Sequence, residues 1–182
     1  MRVVRKTGDV ALTVHVPAWH LEEDGAVIVV GDQFAAWLEF REGSRGDQAP
    51  DQHHRLTGLA RAVPPWAGAE GGRHPTVIDA GGATIYWDAP RPVTGPVDLI
   101  GVISANSVDA PDGFPMTEGV VTRVRMEWQD YRLGDGAAWY SVPGAARYED
   151  LESSYLPAPG PIDPATRAVW AGVLVDLEVL SH

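Results

Sequence analysis

Val27-Ile28-Val29-Val30-Gly31-Asp32-Gln33-Phe34-Ala35-Ala36-Trp37-Leu38-Glu39-Phe40 is the stretch that decides the fold class. An apolar, β-branched run meets a Gly-Asp corner. Beyond it Phe34, Ala36, Leu38 and Phe40 alternate with Gln33, Ala35, Trp37 and Glu39. That alternation is the period of a half-buried strand, and Gly-Asp is turn chemistry. Phe34, Trp37, Leu38 and Arg41 also fit a helical stripe, but the β-branched run and the glycine corner favour strand. The expectation is two strands of a small, curved antiparallel sheet.

Composition extends this reading. Among 182 residues, 20 Gly and 15 Pro occur with no low-complexity run, which implies many turns and an all-β chain. A hydrophobic share of 45% excludes a disordered polymer and supplies a core without staples. With no Cys, disulfides, thiolate nucleophiles and Cys-based zinc sites are excluded. The net charge of -11 opposes binding to nucleic acid or anionic membranes and suits a protein partner with a basic surface. No apolar core follows Met1–Lys6 and no run is long enough to span a bilayer, so a cytoplasmic protein without membrane contact is expected.

Along the chain, residues 2–6 and 10–16 read as a hairpin about Thr7-Gly8-Asp9, and Trp19–Gly25 as a polar loop. The next strand is Leu59–Val63, entered through His53–Gly58, and Val77–Trp87 is a hairpin turning at Gly81-Gly82. Pro90, Pro92 and Pro96 mark a rigid connector, and Val97–Ile103 follows as a strand. In Gly119–Trp128 the set Val120, Thr122, Val124, Met126 and Trp128 is expected inside, leaving Arg123, Arg125 and Glu127 outside, a pattern suited to an edge. Ala137–Val142 returns as a strand, a helical turn is expected over Tyr148–Glu152, and Ala168–Leu180 reads as a central strand. Trp128 and Trp170 are expected in the core.

Two segments echo each other. Gly31 is followed 27 positions on by Gly58, and Gly95 is followed 24 positions on by Gly119, each pair running strand, polar loop, then a glycine opening an apolar strand. The expected fold is therefore all-β: small antiparallel barrels, with two SH3-like or OB-like halves, 1–90 and 91–182, packed as one unit. The Gly31-Asp32…Trp37-Leu38 corner, His53-His54 before Thr57-Gly58, and the ending Gly172–Val179 resemble an uncharacterised family of small actinobacterial proteins. The chain lacks the Cys pair associated with many members. That family has no established activity, so the resemblance implies no catalytic residue.

Catalytic motifs are missing from the sequence. None of the serines lies in a Gly-x-Ser-x-Gly elbow, and neither glycine cluster has the ending of a phosphate loop. His53, His54 and His74 are the candidate metal ligands, although adjacent histidines on a strand point to opposite faces. Trp19, Trp66, Trp139 and Tyr140 are candidates for lining a binding surface, and Arg123 and Arg125 for tracking a phosphate backbone. The reading is a non-enzymatic binding or interaction module for a protein partner, with no cofactor. A small metal-dependent enzyme and an OB-like single-strand nucleic-acid binder are the alternatives.

Overall fold

The computed structural model describes residues 7–25, 27–43, 53–65, 71–106, 113–134, 138–154 and 166–180. The chain runs β1 (Thr7–Pro17), α1 (Ala18–Asp24), β2 (Gln33–Glu42), β3 (His53–Ala62), β4 (His74–Ala80), β5 (Ala83–Ala89), β6 (Gly95–Asn106), β7 (Thr117–Leu133), β8 (Trp139–Leu151) and β9 (Thr166–Leu180). The all-β expectation holds, with one short helix among the described residues. No helix among the described residues is long and apolar enough to cross a membrane.

Hydrogen bonding runs from β2 through β5, β4, β3, β6, β1, β9 and β7 and back to β2, closing an eight-stranded barrel. A further antiparallel pairing of β2 with β6, Trp37↔Asn106 to Glu42↔Gly101, crosses that ring. It divides the barrel into two five-stranded circuits, β2-β5-β4-β3-β6 and β6-β1-β9-β7-β2, which share β2 and β6. Closure removes the exposed edges that an open sheet of this size would carry. β8 adds to β7 on the outside.

The two circuits repeat one pairing scheme. β3 is antiparallel to β6 and β4, as β7 is antiparallel to β2 and β9. β4 is antiparallel to β5, as β9 is to β1. β5 is parallel to β2, as β1 is parallel to β6. The unit β2-β3-β4-β5 thus corresponds to β6-β7-β9-β1. The connector of Pro90 and Pro92 separates these units, but β1, from the first 90 residues, takes its place with the second. The echoing glycines occupy equivalent positions. A Cβ on Gly58 would lie 2.7 Å from the Asp79 carbonyl oxygen in β4, and one on Gly119 would lie 3.0 Å from the Glu178 carbonyl oxygen in β9.

One apolar cluster fills both circuits. Leu56, Ile78 and Ile85 belong to the first, Val14, Val175 and Leu177 to the second, and Leu38, Phe40 and Ile103 to the shared pair. The inward set on β2 is the alternating one, Ala36, Leu38 and Phe40. Among the described residues the buried tryptophan is Trp87, edge-on to Phe40 with ring centroids 5.8 Å apart. Trp128 and Trp170 are half-buried instead, because they lie where β7 and β9 run on past the end of β1.

Several local expectations are corrected. Val27–Val30 is not a strand: among the described residues its only bridge is Val29↔Ser153, and Gly31, at φ 93°, makes the turn into β2. Trp19–Asp24 is helix, and Gly25 ends it in the left-handed region at φ 59°. Thr7–Asp9 is part of β1, not a hairpin turn, while residues 2–6 lie outside the described residues. Tyr148–Leu151 extends β8 and makes no helical turn.

On β7 the inward residues are Val121, Val124 and Met126, because the register shifts between Val121 and Arg123. One extra residue at such a bulge reverses the parity, which moves Thr122 outward. β7 is also no edge, since it pairs with β2, β8 and β9. β9 lies between β1 and β7, as its two-sided apolar character implies.

Candidate functional site

The apolar segment of 27–30, deprived of a full ladder, closes one end of the second circuit. The Ile28 N–H donates to Ser154 Oγ and the Ser154 N–H returns a bond to the Ile28 carbonyl, both at 2.8 Å. The Val30 N–H donates to the Glu152 carbonyl at 2.9 Å, and the Gly31 N–H to the Val121 carbonyl at 2.8 Å. The segment is therefore wedged between β7 and the end of β8, tied to both through its backbone. α1 begins where β1 stops at Pro17 and folds over the same opening, burying Leu21.

Between them lies a cavity of about 260 Å³. Its lining is mixed: Val16, Leu21, Ile28, Phe34, Ala36 and Val121 are apolar, and His20, Asp32 and Gln33 supply polar groups. The mouth is acidic. From Thr7 to Phe40 the chain has no Lys or Arg, and Glu22, Glu23, Asp32 and Glu152 are exposed around the opening. A concave barrel mouth that combines apolar side chains with convergent polar groups is a usual setting of a binding site.

A second concentration of polar groups lies on the outer face of β1, β9 and β7. Thr13 is opposite Asp176, and His15 and Arg125 are both opposite Leu174, so these side chains project from one face. The Thr13 hydroxyl donates to Asp176 Oδ1, which also accepts from Arg125 Nη2 at 2.8 Å. Glu127 is 2% exposed, and its Oε2 is 3.4 Å from His15 Nε2.

The start of β3 joins this cluster electrostatically. Burial lowers the pKa of His54, Asp176 opposes that shift, and Arg125 and His53 add to it. Nε2 of His15, His53 and His54 and Nε of Arg125 have no hydrogen-bond partner among the described residues.

The sequence candidates separate on this map. His53, His54 and Arg125 come together, with Arg123 nearby on β7 bonded to Asp150 at 2.6 and 2.9 Å. His74 opens β4 at the opposite end of β3, ~30 Å from His53 at about 3.3 Å per residue. No group of three His, Cys, Asp or Glu side chains among the described residues is arranged to hold a metal ion. Trp19 is exposed on α1, its ring centroid 5.5 Å from that of His20, which lines the cavity. Trp139 and Tyr140 lie far along the β7–β8 hairpin, and Trp66 lies outside the described residues.

Arg123 and Arg125 are each committed to a carboxylate, as are Arg41, Arg55, Arg61, Arg91 and Arg147. Their positive charge is locally compensated, which removes the main attraction for a phosphate backbone. The alternation of 27–40 specifies strands and gives no sign of the cavity. The readable signal was the absence of cations from 7–40, which marks one acidic end. No family model, curated protein or solved structure matches the chain, so the likeness to the actinobacterial family rests on its short motifs alone.

Proposed function

We propose that the protein is a binding module whose cavity receives an apolar side chain from a protein partner with a basic surface. The cavity between α1 and the start of β2 is the observation that carries this reading. At about 260 Å³ it suits one anchoring side chain better than a drug-sized ligand, for which pockets begin at ~300 Å³. The exposed carboxylates at its rim favour a cationic flank. They also speed encounter with such a partner at low salt.

The test is titration with the peptide amide Arg-Phe-Arg, followed by amide chemical shifts. Shifts at Ile28, Phe34, Ala36 and Val121 that are absent with Glu-Phe-Glu, and lost in Ala36→Leu, are the expected result. No shift at those amides, or an equal response to both peptides, would refute the reading.

A further inference from the structure

β7 and β9 continue past the barrel. β1 stops opposite Gly172, yet β9 begins six residues earlier at Thr166, pairing there with Trp128–Arg132 of β7. β8 adds Trp139–Ser141 on the other side of β7. These strands form a three-stranded arm, ~20 Å long at about 3.3 Å per residue. Arg167 stiffens one face, lying 4.7 Å from the Trp139 ring centroid and 6.0 Å from that of Tyr131. On the opposite face Tyr140 is 59% exposed, directly across from exposed Arg132.

In charge the arm differs from the rest of the molecule. Residues 128–147 and 166–171 carry Arg132, Arg147 and Arg167 against Asp130 and Asp135, a net of +1 in a chain of -11. The arm and the acidic mouth emerge at the same end of the second circuit, because Pro17 is level with Gly172 and α1 follows Pro17 directly. Two copies related by a two-fold axis can therefore exchange arms, each presenting an exposed aromatic beside an arginine to a cavity rimmed by carboxylates. A two-fold contact closes on itself and needs no further copies.

We infer that the partner of the cavity is a second copy of this chain, bound through reciprocal insertion of Tyr140, with Arg132 facing Asp32. This rests on reading the mouth as a receptor for a cation-flanked apolar side chain. Sedimentation velocity over a wide concentration range, at low and high salt, is the test. The expected result is a monomer–dimer equilibrium that weakens with salt. Tyr140→Ser and Asp32→Lys, both at exposed positions, should each weaken it by about tenfold or more.

Mixing the two variants distinguishes this contact from any other. Either substitution alone undoes the contact it sits in, so a homodimer of one variant loses both contacts; a mixed dimer keeps one whole contact, the arm of the Asp32→Lys copy in the mouth of the Tyr140→Ser copy, and the mixture should dimerise more tightly than either variant alone. A wild-type chain that stays monomeric at low salt would overturn the inference, as would a dimer indifferent to both substitutions or a mixture no tighter than its components. If Arg-Phe-Arg still shifts the cavity amides in that event, the mouth is a receptor and only the identity of its partner is wrong.

Discussion

Gly101→Ala tests the seam on which both circuits depend. Gly101 lies in β6 between Glu42 of β2 and His54 of β3, so no side of it faces open solvent. A Cβ there would run into the Arg41 carbonyl oxygen and would lie 2.6 Å from Cζ of Phe40. Neither obstacle can retreat easily. The carbonyl belongs to the β2 backbone, and Phe40 is 1% exposed and packed edge-on against Trp87. Overpacking of this kind costs about 1–3 kcal/mol, and a backbone obstacle places the cost near 3 kcal/mol. Alanine recovers about 0.5–1 kcal/mol relative to glycine in a strand, leaving a net loss of roughly 2 kcal/mol.

For a chain of this size that loss lowers Tm by about 4–8 °C. Urea unfolding followed by tryptophan fluorescence and by far-ultraviolet dichroism is the assay. Both probes should shift together, because β2 and β6 belong to both circuits and neither circuit can open alone. Gly71→Ala is the control, since a Cβ there meets nothing within 4 Å. In a Phe40→Ala background the Gly101→Ala penalty should shrink by about 0.5 kcal/mol or more, with the carbonyl clash remaining. If Gly101→Ala is tolerated as well as Gly71→Ala, or if the probes separate, the shared seam is wrong.

Three further outcomes follow from the outer polar face and the core. Arg125→Ala strands the half-buried Asp176 and should cost about 2 kcal/mol by chemical denaturation, whereas Arg123→Ala, at an exposed pair, should leave the midpoint within error. The folded pKa of His54 is depressed below its ordinary value near 6.5, so the unfolded chain takes up the proton first as pH falls. Stability from this group is therefore complete above about pH 6.5 and is lost as pH falls toward the folded pKa; His54→Gln should flatten the difference between urea midpoints at pH 8 and pH 5, and an unchanged difference would refute the assignment. Trp87→Ala removes the largest fully buried side chain among the described residues and should cost about 3–5 kcal/mol by thermal unfolding, far more than Trp19→Ala on the exposed helix.

The period-2 patterns of Phe34–Phe40 and of Val173–Val179, and the glycine corner at Gly81-Gly82, could be read directly. Strand identity is local: a β-branched, alternating segment has a preferred face whatever it pairs with. The echo of Gly58 with Gly119 was also present in the chain, and these two glycines mark equivalent close approaches of neighbouring strands. The candidate site was legible only in fragments. His53, His54 and Arg125 were singled out, with Glu127 in the same alternating stretch as Arg125, but their neighbours His15 and Asp176 come from two other stretches of sequence.

What the sequence determined by itself was therefore an all-β chain with an acidic balance, a repeated glycine-punctuated unit and a proline connector after it. Tertiary structure alone decided the rest, for a common physical reason: pairing between distant strands is not encoded in the period of either one. It made β1 complete the second circuit and placed the bulge that turns Val121 inward. It also denied Val27–Val30 a ladder, and that loss made the segment the wall of a cavity. A stretch whose alternation announces a strand thus ends as both scaffold and site, since only closure of the barrel fixes which of its residues have neighbours and which face an opening.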